Sequence, residues 1–266
     1  MTGSTITFSG TTFPSVISRA FPSIPGLKTM VFFGTGWDAN EANRVAGGPA
    51  LSVMAGGAPV HAANYISLGS QPHPTPTRLD AIDTNNLRDA SWLASGWTYM
   101  ACARNPMPSN DPQFGNYSVV FFEQIGTTGG TNGSGIGLRG TNNQIILFRS
   151  GINAGGGTLT LAQPVSNWHI VASQVAAGAG AGAAITGWDF TEVQGGQSVA
   201  STLATALTTA TAMSPHFGAG PNDSSVGQGA VDIAWGMIAQ AVLPQVTMAA
   251  IAASARQILG RRGIAC

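Results

Sequence analysis

Apolar residues alternate one by one with small or polar ones along several strand-length stretches of this chain, and that period of two fixes what it can become. Side chains on an extended strand point to opposite faces in turn, whereas a helix repeats every 3.6 residues. Trp97, Tyr99, Ala101 and Ala103 alternate with Thr98, Met100, Cys102 and Arg104. Residues 168–175 alternate again, and residues 183–190 are the expected hairpin partner across the Ala/Gly loop at 176–184. Residues 231–243 alternate over thirteen positions, which places Val231, Ile233, Trp235 and Met237 on one expected face. Residues 27–34, 117–125, 144–149 and 158–162 are further apolar runs of strand length. With 36 Gly and 15 Pro as punctuation, the pattern predicts a mainly β chain folded as a sandwich or jelly roll with many tight turns.

One helix interrupts this pattern, over residues 244–259. Met248, Ile251, Ala252, Ala255, Ile258 and Leu259 form a single apolar stripe. Pro244 suits the first helical position and Gly260 the stop. Arg256, Arg261 and Arg262 lie where cations complement the helix dipole and read as a solvated helix end. Residues 1–26, with isolated Phe8, Phe13 and Phe21, read as an arm or edge strand. Residues 27–266 form the expected jelly-roll domain, including the helix.

Charge narrows the function classes. Only 8% of residues are charged, against roughly 25% in an average soluble protein. Eleven cations, ten of them Arg with Lys28 the one lysine, balance eleven anions. A neutral surface competes poorly for phosphate backbones and for acidic lipid, so neither nucleic acid nor a membrane is an expected partner. Disorder is excluded by 44% hydrophobic residues, including eleven Phe and six Trp. No signal peptide is expected at the amino terminus, and no apolar run is long enough to predict membrane insertion.

Chemistry-bearing motifs are sparse. Glycan hydrolysis takes a pair of carboxylates at a set separation, and Glu41, Glu123 and Glu192 each lack a carboxylate two residues away. No enzymatic activity is therefore expected. Residues 135–140, GIGLRG, match a dinucleotide fingerprint in letters only. They sit before a strand rather than a helix, and read as a glycine-rich hairpin. His61, His73, His169 and His216 are scattered without ligand spacing. Asp111, Asp189 and Asp223 read as turn residues rather than calcium ligands. No metal or other cofactor is expected. Cys102 reads as a buried free thiol, and Cys266, the last residue, as mobile.

Residues 231–264 carry Asp232-Ile233-Ala234 on a strand, then a short helix, then Arg261-Arg262-Gly263-Ile264. This segment resembles the last strand and closing helix of concanavalin-like, laminin-G-like jelly rolls in tailed-phage and prophage particle proteins. Residues 79–87, 97–104, 167–175, 216–220, 6–13 and 21–27 are similar to such proteins in the same order. Pro244 departs from the pattern, which usually has a hydroxyl or acidic cap there. The resemblance implies a virion structural protein on the particle exterior, in tail, fibre or head decoration, made in the host cytoplasm. Other virion proteins are the implied partners, with a homo-oligomer, a trimer by analogy, docked through Phe8, Phe13 and Phe21. The alternative is a lectin-like module for a bacterial surface glycan, with Trp92, Asp111, Asn116, Asn222 and Asp223 as candidate contacts; a glycan hydrolase working through scattered Asp residues is the least favoured reading.

Overall fold

The computed structural model describes residues 21–34, 43–53, 59–69, 81–85, 90–109, 117–123, 133–149, 155–191, 195–204, 206–207, 215–218 and 229–266. Within them lie two antiparallel sheets packed face to face. The first runs β13 (Gln197–Thr202), β12 (Ala184–Asp189), β11 (His169–Val175), β6 (Trp97–Arg104), β15 (Val231–Ala239), β4 (Ile66–Leu68) and β3 (Val60–His61). Its eighth strand, β1 (Leu27–Phe32), shares an edge of β15 with β4: it pairs with the second half of β15, and β4 with the first. The second sheet runs β10 (Gly155–Thr160), β9 (Gln144–Arg149), β8 (Ser134–Arg139), β7 (Tyr117–Glu123), β14 (His216–Gly218), β5 (Ala81–Asp83) and β2 (Ser52–Val53). Helix α1 (Ala90–Ser95) precedes β6, and α2 (Gln245–Arg261) follows β15. This is the jelly-roll-like sandwich with a closing helix that the alternation predicts. Among the described residues no helix is long and apolar enough to cross a membrane.

The two faces of the first sheet bury different things. Trp97, Tyr99, Ala101 and Ala103 of β6 point between the sheets and meet Phe121, Ile136, Leu138 and Phe217. Tyr99 and Phe121 stack at 3.7 Å, while the Phe217 ring meets Phe121 and Phe33 edge-on at 5.2 and 5.8 Å. Met100 and Cys102, on the opposite face, join Ile170, Ala172, Trp235 and Met237 in a second core under α2. Each large apolar side chain buried this way contributes about 1.5–3 kcal/mol.

β15 departs from the expected single face. Its register against β6 shifts between Ile233 and Trp235, and such a bulge inserts an extra residue and reverses the alternation. Val231 and Ile233 therefore face the inter-sheet core, whereas Trp235 and Met237 face the helix. One strand feeds both cores.

The helix also ends later than Gly260. Pro244 stands before it at φ −57° and ψ 145° as the N-cap, without a side-chain cap. At the far end Gly263 takes φ +78°, with Gly263 N–H donating to Gly260 O and Ile264 N–H to Leu259 O. This is a Schellman stop, with Ile264 packed in the same core as Leu259. Arg261 is exposed in the last turn, as expected of a solvated helix end, but Arg256 and Arg262 are not. Arg256 donates through Nε to Cys266 O and through Nη2 to Phe190 O, and Arg262 donates to Phe33 O while lying over the Phe32 ring. Burial lowers the pKa of Arg262. Residues 135–140 run along β8 into the turn before β9, the glycine-rich hairpin expected of them.

Candidate functional site

Arg104 ends β6 directly opposite Asp232 on β15, which in turn stands opposite Ser67 on β4. Arg104 Nε and Nη2 both reach Asp232 Oδ2 at 2.9 Å, with 29% of the Arg104 side chain exposed and 3% of the Asp232 side chain. Burial pushes the Asp232 carboxyl pKa up, against the opposing pull of Ser67 and Arg104. The guanidinium is also held by rings. Its Cζ lies 4.7 Å from the Trp168 ring centre and 5.2 Å from that of Tyr65, and those two rings meet edge-on at 5.4 Å. Cation–π contacts of this kind hold an arginine in one orientation. Nη1 has no hydrogen-bond partner among the described residues.

A cleft of about 520 Å³ opens beside this arginine, lined by Arg104, Gln163, Ser166, Asn167, Trp168 and Thr191, with Ala265 and Cys266 behind. Its polar rim is placed from a distance. Asn143, at φ +52° in the β8–β9 turn, donates from Nδ2 to Leu161 O and Gln163 O and accepts from Val165 N–H. The rim loop is thus tied to the neighbouring sheet, and Asn167 Nδ2 donates to Gln163 Oε1 at 3.2 Å. Beside it, Asp189 Oδ1 accepts from Thr191 N–H and Oγ1, and Oδ2 lies 3.5 Å from His169 Nδ1. His169 Nε2 sits 3.0 Å from Pro164 O. Asp189 therefore bonds its own turn, as expected.

The chemistry on offer is two amides, two hydroxyls, an indole, Cys266 and one fixed cation, the guanidinium. No Asp or Glu is among the residues lining the cleft: Asp232 pairs with Arg104 and Asp189 with Thr191. Among the described residues no group of three His, Cys, Asp or Glu is placed to hold a metal ion. A larger groove of about 790 Å³ runs along α2, but its walls are mostly Phe190, Ala249, Ala253 and the 76%-exposed Val246, with Arg256 at one end. Thr191, Gln245 and Arg256 supply its polar part.

The structure relocates two of the residues proposed from sequence. Trp92 is 4% exposed, in α1, with its ring against Trp97 at 6.3 Å. It fills the core and has no face for a sugar. Phe21 is equally buried, stacked on Trp235 at 6.1 Å with ring planes 10° apart. Its pocket is in its own chain. Asp111, Asn116, Asn222, Asp223, Phe8 and Phe13 lie outside the described residues. Cys266, expected to be mobile, is half-buried and held through its carbonyl. Sequence reasoning missed Arg104, Asp232, Tyr65 and Trp168 as one site. The available signal was that Arg104 and Asp232 are the single charges on otherwise apolar strands.

No family model matches the sequence, and no curated protein matches it. Solved structures match in fold. A variant of Trypanosoma rangeli sialidase displaying trans-sialidase activity superposes with a TM-score of 0.55 at 10% identity, over 91% of this chain and 38% of that one. The botulinum neurotoxin serotype D binding domain gives 0.53 at 14% identity, over 90% and 53%. The binding domain of botulinum neurotoxin DC in complex with SialylT gives 0.50 at 12% identity, over 84% and 50%. The chain thus spans between about a third and a half of these proteins, and the likeness is one of β-sandwich fold.

Proposed function

We propose that this chain is a glycan-binding module that holds a sugar in the cleft beside Arg104. The observation that carries the reading is the guanidinium fixed by Asp232, Tyr65 and Trp168 at the mouth of a cleft rimmed by Gln163, Asn167, Ser166 and Thr191. Sugar hydroxyls donate and accept in fixed directions. Amides that offer both functions, and an arginine whose orientation is already set, bind them with little further ordering cost. That the fold neighbours include a sialidase and toxin binding domains, one in complex with SialylT, fits this reading. The cleft walls carry no Asp or Glu pair of the kind most glycoside hydrolases use, which supports binding as the reading. The test is titration calorimetry against a panel of bacterial surface polysaccharides. Arg104→Ala is expected to weaken binding roughly tenfold or more, the loss of a charge-assisted hydrogen bond. Val246→Ser, on the other groove, is expected to leave it unchanged. Binding that survives Arg104→Ala refutes the site.

A second reading places the module on the outside of a tailed-phage or phage-like particle, as a homo-oligomer among other virion proteins. It rests on the sequence resemblance, and the observation favouring it is the low charge combined with the exposed apolar groove along α2. Light scattering on the purified chain and imaging of particles carrying a tagged copy test it. A strictly monomeric chain absent from particles removes it.

A further inference from the structure

Nothing in the sequence links the two cysteines, yet the fold brings them together. Cys102 lies on the face of β6 that packs under α2 and is wholly buried. The Schellman stop at Gly263 turns the backbone back on α2, and Ile264 anchors it against Leu259. Arg256 then fixes the last residues of the chain: Nη2 holds Phe190 O at 2.6 Å and Nε holds Cys266 O at 2.8 Å. Cys266 packs against the core that contains Cys102, and each thiol lies close enough to perturb the ionisation of the other. Cys266 also lines the cleft and is only half-buried, whereas Cys102 is wholly buried.

We propose that Cys102 and Cys266 are a redox site, in which a peroxide entering the cleft oxidises Cys266 and Cys102 closes an intramolecular disulfide. The Cys266 sulfur attacks one peroxide oxygen, the O–O bond breaks, and hydroxide leaves as the sulfenic acid forms. The Cys102 sulfur, giving up its proton, then attacks the Cys266 sulfur, and the S–O bond breaks with loss of water. Two thiols lose two electrons, and the peroxide gains them to become two waters. The electrostatics assign the same roles. The contact with Cys102 holds the Cys266 thiol below its usual pKa against the effect of burial, with Arg256 and His169 adding to the lowering. Burial holds the Cys102 thiol well above its own. The lower-pKa, cleft-facing thiol is the one to be oxidised first, and its neighbour is the resolving one. The disulfide ties the segment after α2 to the middle of the first sheet. This inference does not depend on what fills the cleft.

The experiment is treatment of the purified full chain with hydrogen peroxide, then alkylation under denaturing conditions, mass spectrometry and thermal melting. The expected result is joint loss of both thiols and a peptide pair linked through Cys102 and Cys266. A Tm rise of about 5 °C or more, reversed by dithiothreitol, accompanies it. Cys266→Ser abolishes the shift, and Cys102→Ser leaves Cys266 as a sulfenic acid that dimedone traps. Two alkylated thiols after peroxide, or a linkage between two copies instead of within one, overturns the proposal.

Discussion

Gly236 sits on β15 where the strand faces Phe217, and replacing it with alanine tests how tightly the two sheets interlock. A Cβ built there falls 2.3 Å from Phe217 Cε1 and 2.5 Å from Cζ. Ordinary carbon contacts are about 3.5–4.0 Å, so the ring must withdraw by more than about 1 Å. It has nowhere to go. Phe121 and Phe33 stand edge-on against it, all three rings are fully buried, and its strand is hydrogen-bonded on both sides by β5 and β7. Overpacking of this kind costs about 3 kcal/mol at the upper end, offset by about 0.5–1 kcal/mol for removing a glycine from a strand. A net loss of about 2 kcal/mol is expected for Gly236→Ala, equivalent to a Tm lower by roughly 4–8 °C in a chain this size. Urea unfolding monitored by tryptophan fluorescence measures it. The companion variant Phe217→Leu vacates the space, so the double variant should recover at least about 1 kcal/mol relative to the sum of the singles. A Gly236→Ala midpoint indistinguishable from the parent, or strict additivity in the cycle, would refute the reasoning.

Glycines at the end of α2 should respond in opposite directions. A Cβ at Gly260 meets nothing within 4 Å, so Gly260→Ala should stabilise by about 0.5–1 kcal/mol. Gly263→Ala should destabilise by about 1 kcal/mol because of its φ of +78°; thermal melts of both variants decide which glycine stops the helix. Asp232 gives a pH prediction. Its folded carboxyl is raised by burial, so between the ordinary aspartate range and that raised value the folded state holds more protons than the unfolded one. Its contribution to stability therefore falls as pH rises through the window. Asp232→Asn lacks that penalty and should gain on the parent in urea midpoint as pH rises above the ordinary aspartate range. A loss over the same range would mean that the Arg104 pairing outweighs burial.

The parts of the fold legible in the sequence are those long enough to show a period. β6, β9 and β11 have an uninterrupted alternation or apolar run, and their partners can be inferred from it. β2, β3, β4, β5 and β14 are two or three residues long and have no period to read. The faces of β15 escape the pattern because a bulge adds a residue without changing the letters on either side. Gly260 and Gly263 both suit a helix stop, and only the hydrogen bonds to Leu259 and Gly260 show which one serves. The candidate site is invisible for a different reason. Its members come from positions 65, 104, 163–168, 191 and 232, and only strand order and loop tethering by Asn143 bring them together.

β15 lies in the interior of its sheet, between β6 on one side and β4 and β1 on the other, yet among the described residues it is the last strand of that sheet in chain order. Leu27 of β1 pairs with Ala239, more than 200 residues later. At about 5–20 residues per second of synthesis, β6 waits roughly ten seconds for its partner. During that interval the inward edges of β6, β4 and β1 are open and rich in apolar side chains, the kind of template to which foreign strands add. The sheet cannot grow outwards from a finished nucleus; its two halves must be kept apart until a single late insertion joins them. The first sheet therefore closes only after β15 has been made, and until then its open edges need shielding from neighbouring chains.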